Sequence, residues 1–207
     1  MAREAVPEAL AKLPRRFYTR PSLEVAPELL GKVLVHRTPE GEAAGRIVEC
    51  EAYAGPEDMA AHSFGGRRTA RTEAMYLEGG HAYVFLLYGV HWAMNVVCAR
   101  PGEPQAVLVR AVEPVRGVAL MARRRGLPPD ARDLTNGPGK VCAALGITKA
   151  QYGLDLCGEV LFLEDGPPPA RVGTSPRINV DYAGDHAAWP WRFYERGNRY
   201  VSVRPRD

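Results

Sequence analysis

The run "ECEAYAGPEDMAAHS", residues 49 to 63, sets two glutamates and a tyrosine at alternate positions and closes beside a histidine. In an extended chain side chains alternate between faces. Over "RIVECEAY", Ile47, Glu49, Glu51 and Tyr53 therefore share one face and Val48, Cys50 and Ala52 the other. The second face suits a core; the first sets a carboxylate beside an aromatic ring. A ring that strips water from Glu51 would tune it for proton abstraction, which makes Glu51 the candidate general base. A lone glutamate on a sheet face is more often simply solvated, so other residues must complete the site. Arg110 breaks the apolar run "AVLVRAV". Buried, it needs a carboxylate such as Glu51 or Glu49; on an edge strand it would point to water.

In "AYVFLLYGVHWAMN", Tyr83 and Phe85 form a period-two stripe of the kind expected in a core. Tyr88 stands apart from them. It precedes Gly89 at a hairpin tip, where a large ring is exposed unless it docks into something, and a turn-borne wedge is one way to prise apart a DNA base step. The Gly- and Arg-rich loop "HSFGGRRTAR" carries Arg67, Arg68 and Arg71, a phosphate clamp or a solvated loop. "NGPGK" lacks the Walker A pattern, since Val141 follows Lys140; it reads as a turn into a helix whose N–H groups could meet a phosphate.

The elements that must position these residues follow from period and punctuation. Short helices are expected over 5–12 and 21–31, the second with Ser22 as N-cap and Gly31 at its end. "KVLVHRT" and "GRIVECEAY" read as a hairpin across "PEGEAA", "AYVFLLYGVHWAMNVVCA" as two strands meeting near Tyr88 and Gly89, and "QAVLVRAVEP" as another strand. "VRGVALMARRR" and "NGPGKVCAALGI" carry helical patterns, and "RFYERG" and "YVSVR" return to strand. Strands grouped as hairpins, with helices in separate blocks, imply an α+β fold with an antiparallel or mixed sheet.

At 207 residues the chain can bury a sizeable core in one domain. A hydrophobic share of 46% and a charged share of 25% are ordinary, so composition singles out no function. The net charge of +3 permits a polyanionic partner without requiring one. Cys50, Cys98, Cys142 and Cys157 are scattered and form no CxxC pair, which argues against a zinc site or a disulfide framework and for a reduced, cytoplasmic setting. No run is apolar enough to span a membrane. No metal or other cofactor is called for.

Taken together, "RIVECEAYAGPEDMAAHS", "MYLEGGHAYVFLLYGVHWAMN", "VLVRAVEP" and "NGPGKVCAALGI" resemble the alkyladenine (3-methyladenine) DNA glycosylase family in order and separation, over Phe17 to Val203. The resemblance implies an N-terminal extension over 1–16, whose order the sequence leaves open, and a single catalytic domain over 17–207. Its fold would be α+β, with a curved, mostly antiparallel sheet flanked by helices and a protruding β-hairpin. The implied activity is monofunctional hydrolysis of the N-glycosidic bond of an alkylated or deaminated purine (3-methyladenine, 7-methylguanine, hypoxanthine) in duplex DNA. The partner is double-stranded DNA holding the damaged purine, with no membrane and no obligate protein partner; a monomer would suffice.

Residue by residue, the resemblance makes Glu51 the base that deprotonates the attacking water, with Arg110 and the main-chain carbonyl of Ile178 holding that water. Tyr53, His62 and Phe85 would sandwich the extruded base, His62 would also hydrogen-bond it, and Asn95 would stand where a guanine 2-amino group is tolerated or excluded. Tyr88 would fill the gap in the duplex, with Arg67, Arg68, Arg71 and Lys140 on the DNA. One member of the family has a tyrosine where this chain has Phe85, so stacking is kept and a hydroxyl is lost. Lys140 is expected apart from the pocket, which leaves no amine for lyase chemistry. Two rivals share these residues: a hydrolase of free nucleosides or a glycosylase acting on RNA, of which the free-nucleoside enzyme has no duplex to wedge with Tyr88, and a non-catalytic binding module, which would survive Glu51→Gln.

Overall fold

The structure, a computed structural model, describes residues 10–203. Among them, α1 (Arg15–Tyr18) and α2 (Ser22–Leu29) lead into β1 (Val33–Thr38) and the long β2 (Gly41–Tyr53). The hairpin of β3 (Ala82–Leu87) and β4 (His91–Cys98), then β5 (Gln105–Arg116), α3 (Val118–Arg125) and α4 (Pro138–Leu145), follow. The short strands β6 (Leu161–Glu164), β7 (Val172–Ser175) and β8 (Arg192–Glu195) close the chain. The eight strands form one sheet in the order β3-β4-β5-β2-β1-β6, with β8 on the second half of β2 and β7 beyond it. Every pairing is antiparallel, as the α+β expectation requires.

The main core lies on the sheet face covered by the helices, where Leu29, Cys50, Met94, Val107, Val109 and Leu145 meet. Alternation turns the intervening residues of the same strands away from it. Tyr83, Phe85, Ala93, Val97, Ala106 and Leu108 accordingly form a separate cluster. Tyr83 and Phe85 are thus buried, as the stripe predicts, but not in the main core.

Several details differ from the sequence reading. Residues 5–9 of the expected first helix lie outside the described residues, and Lys12 pairs with Glu164 in an isolated β-bridge instead of continuing a helix. Ser22 is the first helical residue and Pro21 the cap. Its hydroxyl donates to Tyr53 O (3.2 Å) and its N–H to Gln105 Oε1 (2.8 Å), so it ties α2 to the sheet. β2 starts at Gly41, facing Thr38, which leaves Pro39 and Glu40 alone in the turn. Ile47 leaves the predicted face: the β2–β5 register slips between Ile47 and Cys50, and this bulge puts Ile47 in the main core with Cys50 while Val48 packs on Ala111 and Tyr200. The expected tail strand at "YVSVR" is irregular over 201–203 because the Ser202 N–H is spent on Glu49 (2.6 Å).

Candidate active site

Glu51 occupies the second half of β2, between Leu108 of β5 and Arg192 of β8, and has no solvent-exposed surface. The solvated alternative therefore fails. Its Oε2 accepts from the Tyr53 hydroxyl (2.9 Å) and its Oε1 from the Ile178 N–H (2.8 Å), with Arg110 Nη1 3.4 Å from Oε1. Burial and the Glu51 charge push the Tyr53 phenol well above its ordinary value, so it remains a donor. The group of Ile178 that meets Glu51 is its N–H. Among the described residues Oε2 accepts only the Tyr53 hydroxyl, and a carboxylate oxygen has two lone-pair sites, so one is left for a water.

Arg110 is buried, as its apolar surroundings suggest, and takes both expected partners: Nε donates to Glu49 Oε1 (3.2 Å) while Nη1 approaches Glu51. Glu49 in turn accepts from Arg192 Nε (2.7 Å) and from the Ser202 hydroxyl (2.8 Å) and N–H. The result is a buried row of alternating charge, Glu51, Arg110, Glu49, Arg192, in which each charge has an opposite neighbour. That alternation is what makes the burial tolerable.

In front of this row opens a cavity of about 1080 Å³, ample for a purine. Tyr53, His62, Phe85, Asn95, Arg110 and Ile178 all line it. His62 Nδ1 lies 2.8 Å from the Tyr83 hydroxyl, and its ring meets Phe85 edge-to-face (4.6 Å, 78°). A flat base stacked on His62 would thus meet Phe85 edge-on. Burial, aided by Arg71 and Arg67, lowers the His62 pKa to about 4, so the ring is neutral at pH 7. Burial likewise pushes the Tyr83 phenol up to about 12. Asn95, on β4, donates from Nδ2 to Tyr83 O (3.1 Å), which holds its amide against the floor.

The rim collects most of the residues expected on DNA. Tyr88 is 73% exposed at the hairpin tip and its hydroxyl accepts from Asn179 Nδ2 (3.3 Å). The backbone turns there with positive φ at Tyr88 (51°) and Gly89 (72°), closed by Val90 N–H to Leu87 O (3.1 Å). A tyrosine in that conformation is uncommon and costs strain. Arg67 and Arg71 border the cavity, Arg71 with its guanidinium 5.3 Å from the Phe85 ring centre. Arg68 is outside the cavity wall, its guanidinium bound to Glu73 (2.5 Å) and over Tyr76. Lys140 departs from its expected place: it borders the cavity, with Nζ held by Asn136 Oδ1 (2.8 Å) and Asp133 Oδ1 (3.1 Å). Gly139 lets the start of α4 pack against His91 of β4, since a Cβ there would stand 2.8 Å from His91 Cβ.

Sequence reasoning missed Tyr83 as a cavity residue and missed the buried pair Asp58–Arg177 behind Tyr53. The period-two stripe pointed to Tyr83 without saying which face was the core. No local signal links Asp58 to a residue 119 positions away. Among the described residues no cluster of three or more His, Cys, Asp or Glu could hold a metal ion, and no helix is long and apolar enough to cross a membrane.

The sequence profile of the Methylpurine-DNA glycosylase family matches residues 16–199. A Bacillus licheniformis protein provisionally named 3-methyladenine DNA glycosylase is 51% identical over 191 residues, 92% of this chain and 96% of its own. Proteins of the same provisional name from Desulfitobacterium hafniense (48% over 203 residues, 94% and 100% of the two chains) and Bacillus subtilis (50% over 191 residues, 92% and 96%) are similarly close.

Proposed function

The chain belongs to the methylpurine-DNA glycosylase family, DNA-repair hydrolases that act on alkylated bases, and from that premise we propose that it is a monofunctional glycosylase for alkylated purines in duplex DNA. Tyr88 enters the stack as a damaged purine swings into the cavity between Tyr53 and His62. Extrusion costs a few kcal/mol, least for a poorly paired base, and each aromatic contact returns roughly 1–3 kcal/mol, so bases that leave the stack easily are favoured. Glu51 takes a proton from a water beside Arg110 and Ile178. The water oxygen bonds to C1′ as the C1′–N bond breaks, and the bond's electron pair leaves with the purine, giving an abasic site.

The observation that carries this reading is the setting of Glu51: a buried carboxylate held by Tyr53, Ile178 and Arg110 behind an aromatic cavity roomy enough for a purine. A leaving-group acid is harder to find. His62 at about 4 holds no spare proton at pH 7, and Tyr83 at about 12 gives its proton up reluctantly. A cationic base such as 3-methyladenine needs no acid, whereas hypoxanthine does, so 3-methyladenine should be released faster than hypoxanthine. Asn95 stands where a guanine 2-amino group would enter and so bears on 7-methylguanine. Arg67, Arg71 and Lys140 at the rim, with Arg68 further out, meet the backbone phosphates. Lys140 serves there as an ion-paired cation, so no Schiff base forms; a borohydride-trapped protein–DNA adduct would refute this.

The deciding experiment is single-turnover base release from duplexes carrying each lesion. Glu51→Gln should lower the rate about 10²–10⁴-fold while retaining affinity for abasic DNA. A wild-type rate in that variant would remove Glu51 from the chemistry.

A further inference from the structure

Behind Tyr53 lies a second buried ion pair that the chemistry above leaves unused. The side chains of Asp58 and Arg177 have no solvent exposure and meet through two bonds, Nη1 to Oδ2 at 2.5 Å and Nη2 to Oδ1 at 2.8 Å. Arg177 also donates to the carbonyls of Ala52 (3.0 Å) and His186 (3.3 Å), and Asp58 accepts from the N–H groups of Ala54 (3.1 Å) and Ala60 (3.0 Å). The guanidinium lies 4.9 Å from the ring centre of Tyr53 and 5.0 Å from that of Trp191. Among the described residues its buried Nε has no partner.

Such a pair is a poor way to gain stability. Desolvating two charges offsets their attraction, and the orphaned Nε adds to the cost. What the pair does achieve is placement. The carbonyl of Ala52 immediately precedes Tyr53, the ring of Tyr53 lies beside the guanidinium, and Arg177 is bonded in sequence to Ile178. One guanidinium therefore grips the chain next to both hydrogen-bond donors of Glu51, the Tyr53 hydroxyl and the Ile178 N–H. Asp58 completes the clamp by pinning the turn from Ala54 to Ala60 that leads to His62.

We propose that Asp58 and Arg177 are positioning residues for the reaction, fixing the two donors that aim the Glu51 carboxylate at its water. The proposal rests on Glu51 being the general base. Arg177→Lys keeps a cation but loses the planar fork, and Asp58→Asn keeps the shape but loses the charge. In single-turnover release of 3-methyladenine, each should lower the maximal rate about 10- to 100-fold, as a small misplacement of a reacting group does. Half-saturation and affinity for abasic duplex should change less than about threefold, since binding is not the affected step. Adding Arg177→Lys to Glu51→Gln should cost nothing further, because both act through one group.

A folded Arg177→Lys protein with the wild-type rate overturns the proposal, as do additive losses in the double variant or a loss confined to half-saturation. If Arg177→Lys does not fold, Asp58→Asn is read by the same criteria; if neither folds, the pair serves stability and the proposal falls. A wild-type rate in Glu51→Gln alone would instead sink the general-base reading, so the two failures are separable.

Discussion

Across β2, β5 and β4 the sheet turns Cys50, Ala52, Val107, Val109, Met94 and Val96 to one side and Glu51, Tyr53, Leu108, Arg110, Ala93 and Asn95 to the other. Both sets lie on the same backbone and are buried, Tyr53 only partly. The helix-covered side is held by apolar packing, which is non-directional and tolerates exchange at constant volume. The cavity side depends on hydrogen bonds and charge neighbours, where changing one partner strands another. Substitutions on the first side should therefore move stability, and most on the second should move function.

Arg110 is where that division should break, with the largest effect. It is the shared cation between Glu49 and Glu51, so Arg110→Gln leaves two buried carboxylates short of a partner. Removing one member of a buried charge pair costs about 3–5 kcal/mol. Chemical denaturation should record that loss, and base release should fall in the protein that remains folded. Wild-type stability would mean that Arg192, Ser202, Tyr53 and Ile178 satisfy the two carboxylates unaided.

Met94 offers the contrasting case. It is fully buried in the main core on β4, next to Asn95 on the opposite face. Met94→Ala should cost about 2–5 kcal/mol of stability through lost burial and the cavity left behind. Single-turnover base release well below the melting transition should be unchanged, and a fall comparable to that of Glu51→Gln would show the two faces to be mechanically coupled.

Tyr88 sharpens the comparison from the other end, being 73% exposed. Tyr88→Ala should leave stability within about 0.5 kcal/mol, as for other exposed positions. Base release from duplex DNA should weaken by the worth of one base–aromatic contact, roughly 1–3 kcal/mol. Release from single strands should barely change, since no gap needs filling there.

How much of this was legible in the sequence differs between the faces for physical reasons. The period of two is local, so the hairpin tip at Tyr88 and the pairing of Glu51 with Tyr53 could be read directly, and a charge inside an apolar run marked Arg110. The bulge at Val48 and Glu49 could not be read, because one extra residue reverses the alternation without changing composition, so alternation alone puts Ile47 on the wrong face. β6 is buried along its whole length and so shows no apolar–polar alternation, and β7 holds a single large apolar side chain, so periodicity marks neither. The clamp of Asp58 on Arg177 and the seat of Ser202 on Glu49 join residues more than a hundred positions apart, which only the assembled fold brings together.

The smallest expected effect concerns His62 and separates the two causes of its low pKa. Burial comes first, followed by the nearby charges of Arg71 and Arg67. With a folded value of about 4 against 6.5 in a free chain, the unfolded protein binds a proton between those values that the folded one does not. The His62 contribution to stability is therefore complete above pH 6.5 and is lost as pH falls toward 4. Arg71→Gln removes one positive neighbour and leaves the burial, so the titration midpoint of His62, followed by NMR of the ring protons, should rise by only a minor part of the distance to 6.5. Recovery of most of that distance would mean that rim charge, not the enclosed aromatic wall, keeps His62 neutral. The binding of phosphates by Arg67 and Arg71 would then itself raise the histidine's pKa as DNA docks, and the cavity would gain the proton donor that a neutral purine requires.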